Sequence, residues 1–374
     1  MKKISFISTN KSSWGGSEYL WYYAALRLSK EGYKVNVSIP RWVHIPDEIL
    51  RLGSKNIKVR YNTDNSKLKK IINRILPASQ QLSYAVDGFK FLKKDRPDLT
   101  VINQGGNTGG LELMEFCVKN NIKFATIAQA ANEASWPTDR KSYRLSDVYP
   151  MALKNYFVSK ANLKLTEIQI GRKIPNAEVI YNPFNTDFKN DIKYPEPGEN
   201  YSLANVARHE YYAKGQDILF QVLNEKKWRE RNLEVNLYGK GDHTNSIVKL
   251  KNYFGLERVN ICGHVNVSDI WKKNHALILT SRYEGLPLAL VEAMLCSRLG
   301  IVTAVSGNPE IVTDNENGFL AKAAEVSLVD DALERAWARR TEWKDIGIKA
   351  RENIIKLIPE DPVGYFCEKL KELD

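Results

Sequence analysis

Short apolar runs alternate with helix-like segments along the sequence, and this alternation constrains the fold more than any other feature. The first half contains KISFIS (3–8), YKVNVSI (33–39), DLTVIN (98–103), IKFATIA (122–128), NYFVS (155–159) and AEVIY (177–181), and the second half contains YSLANVA (201–207), LEVNLYG (233–239), VNICG (259–263), HALILTS (275–281) and LGIVTAV (299–305). Strands that alternate with helices form parallel sheets. The sequence therefore predicts an α/β protein with doubly wound parallel sheets.

The alternation is interrupted at residues 183–200, which carry three prolines and many polar residues, as linkers do. A chain of 374 residues is also long for a single core. Two Rossmann-like domains facing across a cleft would bind a ligand in that cleft. The predicted parts are an N-terminal domain at 1–182, the linker at 183–200, a C-terminal domain at 201–358 and a terminal helix at 359–374 that packs back on the N-terminal domain.

The segment RYEGLPLALVEAM (282–294) places two carboxylates, Glu284 and Glu292, eight positions apart. Pro287 suits the first turn of a helix, so Glu284 would follow the strand at 275–281 and Glu292 would lie in the next helix. Ligands bind at the carboxyl edge of an open parallel sheet. The amides that would face an anion there, with the helix dipole behind them, are those of Gly285, Leu286, Leu288 and Ala289.

Basic residues and small-residue loops follow other strands of the second half. Arg208 follows the strand at 201–207, and Lys214 comes six positions later, before a helix-like segment. A guanidinium can grip two oxygens of a diphosphate, whereas an ammonium acts as a point charge. The loops that contain Gly239 and His264 follow the next two strands, and small residues there let a flat group approach the backbone.

These groups together are typical of a site for a nucleotide diphosphate sugar. Arg208, Lys214 and the helix amides would hold the diphosphate. Glu292 would accept hydrogen bonds from the ribose hydroxyls, as an acidic residue does in dinucleotide sites. Glu284 would meet hydroxyls of the sugar, because a carboxylate is a stronger acceptor than an amide.

The order of these motifs resembles a known family. VARHEYYAKG, LYGKGD, ICGHV, YEGLPLALVEAM and SGNPEIVTDNENGFL follow one another across residues 201–320. With WGGSEYLWYYAALRLSKEGYKVNV (14–37), VSKANLKLTE (158–167) and VIYNP (179–183), the pattern resembles the retaining glycosyltransferases of family 4, which have the GT-B fold. The most specific part is the E-x7-E segment with the upstream R-x5-K.

The resemblance implies a nucleotide sugar donor in the second domain and an acceptor in the first. It implies transfer with retention of the anomeric configuration and without a metal or other cofactor. Arg208, Lys214, the helix amides and the Gly15-Gly16 loop would stabilise the leaving diphosphate, and Glu284 would orient the sugar rather than attack it. The acceptor would be a glycan, a lipid-linked or a small hydroxylated molecule, in bacterial surface polysaccharide or glycoconjugate synthesis.

One position departs from the family pattern. Family members often have a histidine near residue 128, close to the reacting carbon, and this sequence has Gln129 in IAQAANEASW. A neutral amide can bind a hydroxyl but cannot act as an acid or base near neutral pH. Gln129, Asn132 and Glu133 are therefore the candidate residues on the acceptor side.

The composition bears on the cellular location of the protein. The four cysteines and five histidines show no metal-ligand spacing, and no apolar run is long enough for a membrane span, which favours a cytoplasmic protein with reduced thiols. Residues 1–182 have 29 Lys and Arg against 15 Asp and Glu, a net +14, and residues 183–374 have 26 against 29, a net −3, so the excess of +11 lies in the first half. The stretch at 66–94 fits either a helix packed on the sheet or a surface helix that meets anionic lipid. The second interpretation predicts peripheral association with the inner face of a membrane.

Three other functions fit parts of the sequence. A sugar-nucleotide epimerase or hydrolase could share the same two-domain fold. A nucleic-acid-binding protein would explain the basic first half, but the aromatic residues at 14–23 lie mostly on a predicted helix rather than on a stacking platform. A dehydrogenase is disfavoured because no GxGxxG motif follows the first strand, where the chain reads STNKSSWGGSE.

Overall fold

The computed structural model describes residues 2–10, 14–42, 45–55, 57–62, 89–189, 192–196 and 198–373. The chain divides into two compact units. The first comprises Met1–Pro183 together with Asp361–Asp374, and the second comprises Phe184–Glu360.

Seven strands form the sheet of the first unit in the part of the chain that the structure describes. They are β1 (Lys3–Ser8), β2 (Lys34–Pro40), β3 (Lys58–Asn62), β4 (Leu99–Asn103), β5 (Phe124–Ala128), β6 (Lys154–Phe157) and β7 (Ala177–Val179). All pairs are parallel, in the order β3-β2-β1-β4-β5-β6-β7. The direction of build-up reverses between β1 and β4, and such a switch point is where doubly wound sheets bind ligands.

Helices cover the first sheet because their apolar residues recur at helical spacing. They are α1 (Gly16–Lys30), α2 (Asp47–Gly53), α3 (Phe91–Asp95), α4 (Leu111–Lys119), α5 (Asp139–Val148) and α6 (Lys160–Ile170). In α1, Leu20, Trp21, Ala24 and Leu28 are fully buried and belong to one apolar cluster with strand residues such as Phe6. This burial anchors α1 over the switch point, with its amino end near the carboxyl edge of β1.

Six strands form the sheet of the second unit, again counted over the described residues. They are β8 (Tyr201–Val206), β9 (Leu233–Tyr238), β10 (Val259–Gly263), β11 (Ala276–Leu279), β12 (Leu299–Thr303) and β13 (Gly318–Ala321). They are parallel, in the order β10-β9-β8-β11-β12-β13. The switch point of this sheet lies between β8 and β11.

The helices of the second unit follow its strands in turn. They are α7 (Tyr211–Lys214), α8 (Gln216–Leu223), α9 (Lys226–Glu230), α10 (Thr244–Phe254), α11 (Val267–Lys273), α12 (Leu288–Leu295), α13 (Asn308–Ile311), α14 (Val326–Ala338) and α15 (Trp343–Leu357). The buried Arg298 guanidinium joins the segment before β8 to this unit. It donates to the carbonyls of Ile192 at 3.0 Å and Lys193 at 2.8 Å, and it lies over the Tyr194 ring at 5.1 Å.

The last helix, α16 (Pro362–Lys371), packs on the first unit. The Asp361 carboxylate caps it by accepting from the Gly364 amide at 2.8 Å, and it also pairs with the Arg27 guanidinium of α1. The Phe366 ring meets the Tyr156 ring edge to face, with centroids 5.4 Å apart. Apolar contact and an ion pair therefore hold α16 against α1 and β6.

The predicted fold class, an α/β protein with two Rossmann-like parallel sheets, is confirmed. Within the predicted stretch at 66–94, residues 66–88 lie outside the described residues, and the remainder includes the start of α3. In the described part of the chain, no helix is both long and apolar enough to cross a membrane.

Candidate functional site

The loops after β8 and β11 come together because a glycine allows their backbones to touch. Gly215 follows α7 with a φ of +61°, and a Cβ atom there would lie 2.1 Å from the carbonyl oxygen of Thr280. Only a residue without a side chain fits this left-handed conformation and this contact. Since β8 and β11 are neighbours, the contact brings Lys214 beside the loop that carries Glu284.

Lys214 and Glu284 form the polar centre of this edge. The Lys214 ammonium lies 2.7 Å from both Oε1 and Oε2 of Glu284, whose side chain is 7% exposed. The Ser281 hydroxyl donates to Glu284 Oε1 at 2.7 Å, and the Glu284 amide donates to the Ser306 hydroxyl at 3.0 Å. A buried ion pair with further hydrogen bonds is fixed in direction, so both charged groups are held at the carboxyl edge of the sheet.

Arg208 takes a different position from Lys214. Its side chain is 50% exposed, and its guanidinium pairs with the Glu210 carboxylate at 3.1 Å. The Arg208 carbonyl accepts from the Gln216 side chain at 2.7 Å, which fixes the backbone of the loop. Both cations are thus paired with carboxylates, but the Arg208 pair is open to solvent, whereas the Lys214 pair is largely buried.

Helix α12 begins at Leu288, after the short Gly285–Pro287 turn that follows Glu284. Its intrahelical bonds begin where the amides of Leu290 and Val291 donate to the Pro287 carbonyl. The amides of Leu288 and Ala289 therefore belong to the first turn, where donors have no carbonyl partner within the helix. The Gly285 carbonyl accepts from the Gly307 amide at 3.0 Å, so the Gly285-Leu286 turn is tied to the loop after β12.

Glu292 lies in α12 and is 4% exposed. Its Oε1 accepts from the Asn185 backbone amide at 2.8 Å and from the Asn185 side chain at 3.1 Å. Burial raises the pKa of this carboxyl to about 7, although both hydrogen bonds from Asn185 act to lower it. Asn185 therefore occupies one oxygen of the carboxylate for which the sequence predicts a ribose partner.

The predicted Gly239 and His264 lie in neighbouring loops after β9 and β10. Gly239 has a φ of +135°, a Cβ atom there would lie 2.1 Å from the Ala207 carbonyl oxygen, and its amide donates to the Gly263 carbonyl at 2.7 Å. These contacts bring the ends of β8, β9 and β10 together, and His264 is exposed beside them.

His209 is buried, its Nδ1 lies 2.9 Å from the Thr244 hydroxyl, and burial lowers its pKa.

Three contact residues of this edge are absent from the sequence-based prediction. Ser281 and Ser306 both contact Glu284, and their signal was position, because each follows a strand that ends at this edge. Asn185 belongs to the proline-rich segment, so no periodic pattern marks it.

The remaining predicted residues lie in the first unit. Gly16 begins α1, and Gly15 precedes it in an extended conformation with a φ of −168°. Gln129 is buried at the end of β5; its amide donates to Asn103 Oδ1 at 3.1 Å, and its Oε1 accepts from Asn182 at 2.7 Å.

The other two acceptor-side candidates lie in the loop after Gln129. The Asn132 side chain accepts from the Ala134 amide at 2.8 Å, which shapes that loop, and Glu133 is exposed. The described residues contain no group of three or more His, Cys, Asp and Glu side chains arranged to hold a metal ion.

The class of protein is defined by its fold and by this edge. The chain has two parallel α/β sheets, and the switch point of the second sheet carries a cation, two carboxylates and the start of a helix. Residues 200–339 match the family described as "Glycosyl transferases group 1". An uncharacterized glycosyltransferase of Haemophilus influenzae is 26% identical over 333 residues, which is 86% of both chains.

Two further relatives match this chain over only part of their own length. Poly(ribitol-phosphate) alpha-N-acetylglucosaminyltransferase of Staphylococcus aureus is 27% identical over 143 residues, which cover 37% of this chain and 29% of that protein. An uncharacterized glycosyltransferase of Methanocaldococcus jannaschii is 31% identical over 42% of this chain and 43% of its own length. The chain thus spans less than half of these two relatives in the matched part.

Solved structures share the whole fold. Anabaena HepE in complex with UDP superimposes with a TM-score of 0.76 at 18% identity over 100% of both chains. The lipopolysaccharide outer core galactosyltransferase WaaB gives a TM-score of 0.68 at 19% identity over 99% of both chains. The family match thus covers the second sheet and most of its helices, and the fold of the whole chain is that of these solved structures.

Proposed function

We propose that the protein is a retaining, metal-independent glycosyltransferase that moves a sugar from a nucleotide diphosphate sugar to a hydroxylated acceptor. The acceptor class is a glycan, a lipid-linked or a small hydroxylated molecule, in bacterial polysaccharide or glycoconjugate synthesis. The observation that carries the proposal is the Lys214–Glu284 pair at the switch point of the second sheet, beside the first turn of α12.

The donor site follows from the charges at this edge. The diphosphate would draw the Lys214 ammonium and the Arg208 guanidinium, and it would accept from the amides at the start of α12. As Lys214 turns to the diphosphate, the Glu284 carboxylate becomes available to sugar hydroxyls. The Gly239 and His264 loops would contact the nucleoside, and Glu292 its ribose. The ribose would replace or join Asn185 as a donor to that carboxylate.

The chemistry requires charge stabilisation on the leaving group. The bond between the anomeric carbon and the phosphate oxygen breaks, and the acceptor oxygen bonds to the same face of that carbon. The acceptor proton goes to an oxygen of the departing nucleotide diphosphate. Lys214, Arg208 and the α12 amides would neutralise the developing negative charge, the role for which other enzymes use a metal ion.

The nucleotide is tested by a thermal-shift panel of UDP, GDP, ADP and their sugar derivatives. A ligand present at 100 times its dissociation constant stabilises the folded state by about 2.7 kcal/mol. The relative HepE is solved with UDP and with UDP-glucose, so we expect the uridine compounds to give the largest shift. A panel without any shift would contradict the donor site.

Transfer is tested with UDP-glucose and UDP-N-acetylglucosamine against p-nitrophenyl glycosides as acceptors. We expect UDP release and a new glycoside in equal amounts. Consumption of the donor at the same rate without an acceptor would instead indicate the hydrolase or epimerase alternative.

Membrane association is a separate part of the proposal and rests on the basic charge of residues 1–182. We expect the protein to pellet with liposomes that contain anionic lipid and to be released as salt rises. Equal binding to neutral and anionic liposomes would remove this part and leave the transferase proposal intact.

A further inference from the structure

A buried carboxylate in the first unit lies at the start of a chain of side-chain amides. Glu18 of α1 is completely buried, and Asn103, at the end of β4, is 1% exposed. Glu18 Oε1 accepts from the Asn103 side chain at 3.0 Å and from the Asn10 side chain at 3.0 Å, and Oε2 accepts from the Trp21 indole at 2.7 Å. Both oxygens of Glu18 thus act as acceptors.

The chain continues across the ends of the neighbouring strands. Asn103 Oδ1 accepts from the Gln129 side chain at 3.1 Å, and Gln129 Oε1 accepts from the Asn182 side chain at 2.7 Å. Asn182 Oδ1 is shielded from solvent and has no hydrogen-bond partner among the residues that the structure describes. The chain therefore starts on a carboxylate and ends on an unsatisfied carbonyl oxygen.

The carboxylate determines the direction of every bond in this chain. Burial raises the pKa of Glu18, and the hydrogen bonds from the Asn10 and Trp21 side chains act to lower it. In its ionised form Glu18 only accepts, so Asn103 presents its NH₂ group to Glu18 and its oxygen to Gln129. The same logic turns the NH₂ group of Gln129 toward Asn103 and its oxygen toward Asn182. Asn182 must then donate to Gln129, and its own oxygen is left pointing away from the chain. A neutral side chain at position 18 could donate or accept and would not impose this order.

A buried acceptor without a donor is costly and is satisfied in a complete site. We propose that Asn182 Oδ1 accepts a hydrogen bond from a hydroxyl of the sugar acceptor, and that Glu18 is a positioning residue that fixes this orientation through Asn103 and Gln129. The inference rests on the proposed transferase function, because it assigns the acceptor hydroxyl to this edge of the first sheet. It gives Gln129 a role in orientation rather than in proton transfer.

The first test needs no substrate. The side-chain NH₂ resonance of Asn182 is assigned by its loss in Asn182→Ala and is then compared between the wild type and Glu18→Gln. If Glu18 orients Asn182 through Asn103 and Gln129, a relay of hydrogen bonds, this resonance should clearly shift or broaden in Glu18→Gln. The NH₂ resonance of Asn155, a buried amide of the same sheet that is bonded to Thr126, Tyr149 and Asn176, should stay in place. An unchanged Asn182 resonance would overturn the relay.

The second test uses kinetics with a p-nitrophenyl glycoside as the acceptor. We expect Asn182→Ala to raise the acceptor KM about tenfold, Glu18→Gln to raise it several-fold, and both to leave UDP affinity within about twofold. The double variant should resemble Asn182→Ala alone, because Glu18 acts only through Asn182. Asn155→Ala serves as the matched control for the loss of a buried amide and should leave the acceptor KM unchanged.

The resonance test and the kinetic test distinguish a failure of this inference from a failure of the proposed function. Two results would overturn the role of this amide chain in acceptor binding. One is an acceptor KM in the double variant that is raised by the product of the two single effects. The other is an unchanged acceptor KM in Asn182→Ala. If the wild type binds UDP but transfers sugar to no probe, the proposed function and the assignment of the acceptor hydroxyl both fail. The resonance of Asn182 still decides whether Glu18 orients the amides.

Discussion

The two units present different polar groups at the switch points of similar sheets. In the second unit, the Lys214 ammonium and the Glu284 carboxylate pair at 2.7 Å, and a second buried carboxylate, Glu292, lies in the helix that follows. In the first unit, the described side chains at the end of the corresponding sheet include the amides of Asn103, Gln129 and Asn182, and the Glu18 carboxyl is turned inward toward donors.

The difference reflects what each edge would bind. An anionic diphosphate requires cations and helix amides, and an ammonium paired with a carboxylate can exchange that carboxylate for a phosphate. A neutral hydroxyl requires an acceptor with a fixed direction, and a chain of amides supplies one without placing a bare charge beside the acceptor. The proposed function thus assigns an electrostatic site to one unit and a directional site to the other.

Removing the ammonium of the second unit should have the largest effect. We expect Lys214→Ala to lower kcat/KM roughly 1,000-fold, because it removes charge stabilisation of the leaving group and leaves Glu284 buried without a cation. Steady-state kinetics with the UDP-sugar that the wild type uses would measure the effect. Lys272→Ala is the matched control, since Lys272 forms an exposed pair with Asp269, and a comparable loss there would contradict the assignment.

The raised pKa of Glu292 should appear in the pH dependence of stability. A carboxyl whose pKa is about 7 in the folded protein and 4.5 as the ordinary value binds its proton more tightly when folded. Its contribution to stability is therefore present below about pH 4.5 and is lost as the pH rises through about 7.

Glu292→Gln removes this titration. We expect the unfolding free energy of Glu292→Gln, relative to the wild type, to rise by about 3 kcal/mol between about pH 5 and about pH 8. Urea unfolding of both proteins at each pH would measure it. A difference between the two proteins that does not change with pH would show that Glu292 is not a buried, titrating carboxyl.

The two carboxylates of the second unit should separate donor binding from turnover. We expect Glu292→Ala to weaken UDP binding about tenfold, and Glu284→Ala to spare UDP binding while lowering kcat roughly 50-fold, because hydrogen bonds to a charged group contribute about 1.5–3 kcal/mol. Calorimetry with UDP and steady-state kinetics would compare them. Equal losses of UDP affinity in both variants would reject this division.

The smallest effect is expected at the exposed cation. Arg208→Ala should reduce UDP affinity about threefold at low salt and less at high salt, because the guanidinium is 50% exposed and is screened by ions. Titrations at two ionic strengths would measure this dependence. A salt-independent loss would indicate a desolvated contact instead of a surface cation.

Much of the fold could be predicted from the sequence. Each apolar run coincides with a strand, and Pro287 marks the residue before α12. Local signals of this kind depend only on neighbours in the chain. The predicted membrane interpretation of 66–94 remains a prediction, because residues 66–88 lie outside the described residues.

The candidate site could be predicted only where its residues follow strands. Lys214 and Glu284 fall into this class, and their contact depends on the glycine at 215, which the sequence also shows. The bond between Asn185 and Glu292 joins residues 107 apart in sequence, and that between Glu18 and Asn103 joins residues 85 apart. Register and side-chain direction determine such contacts, and periodicity in the sequence contains neither.

The most direct test of the account is the stereochemistry of the product. The wild type is incubated with UDP-α-glucose or UDP-α-N-acetylglucosamine and a p-nitrophenyl glycoside, and the reaction is followed by proton NMR. We expect UDP and an α-linked product to appear together in equal amounts. A β-linked product, or free sugar without a new glycoside, would contradict it.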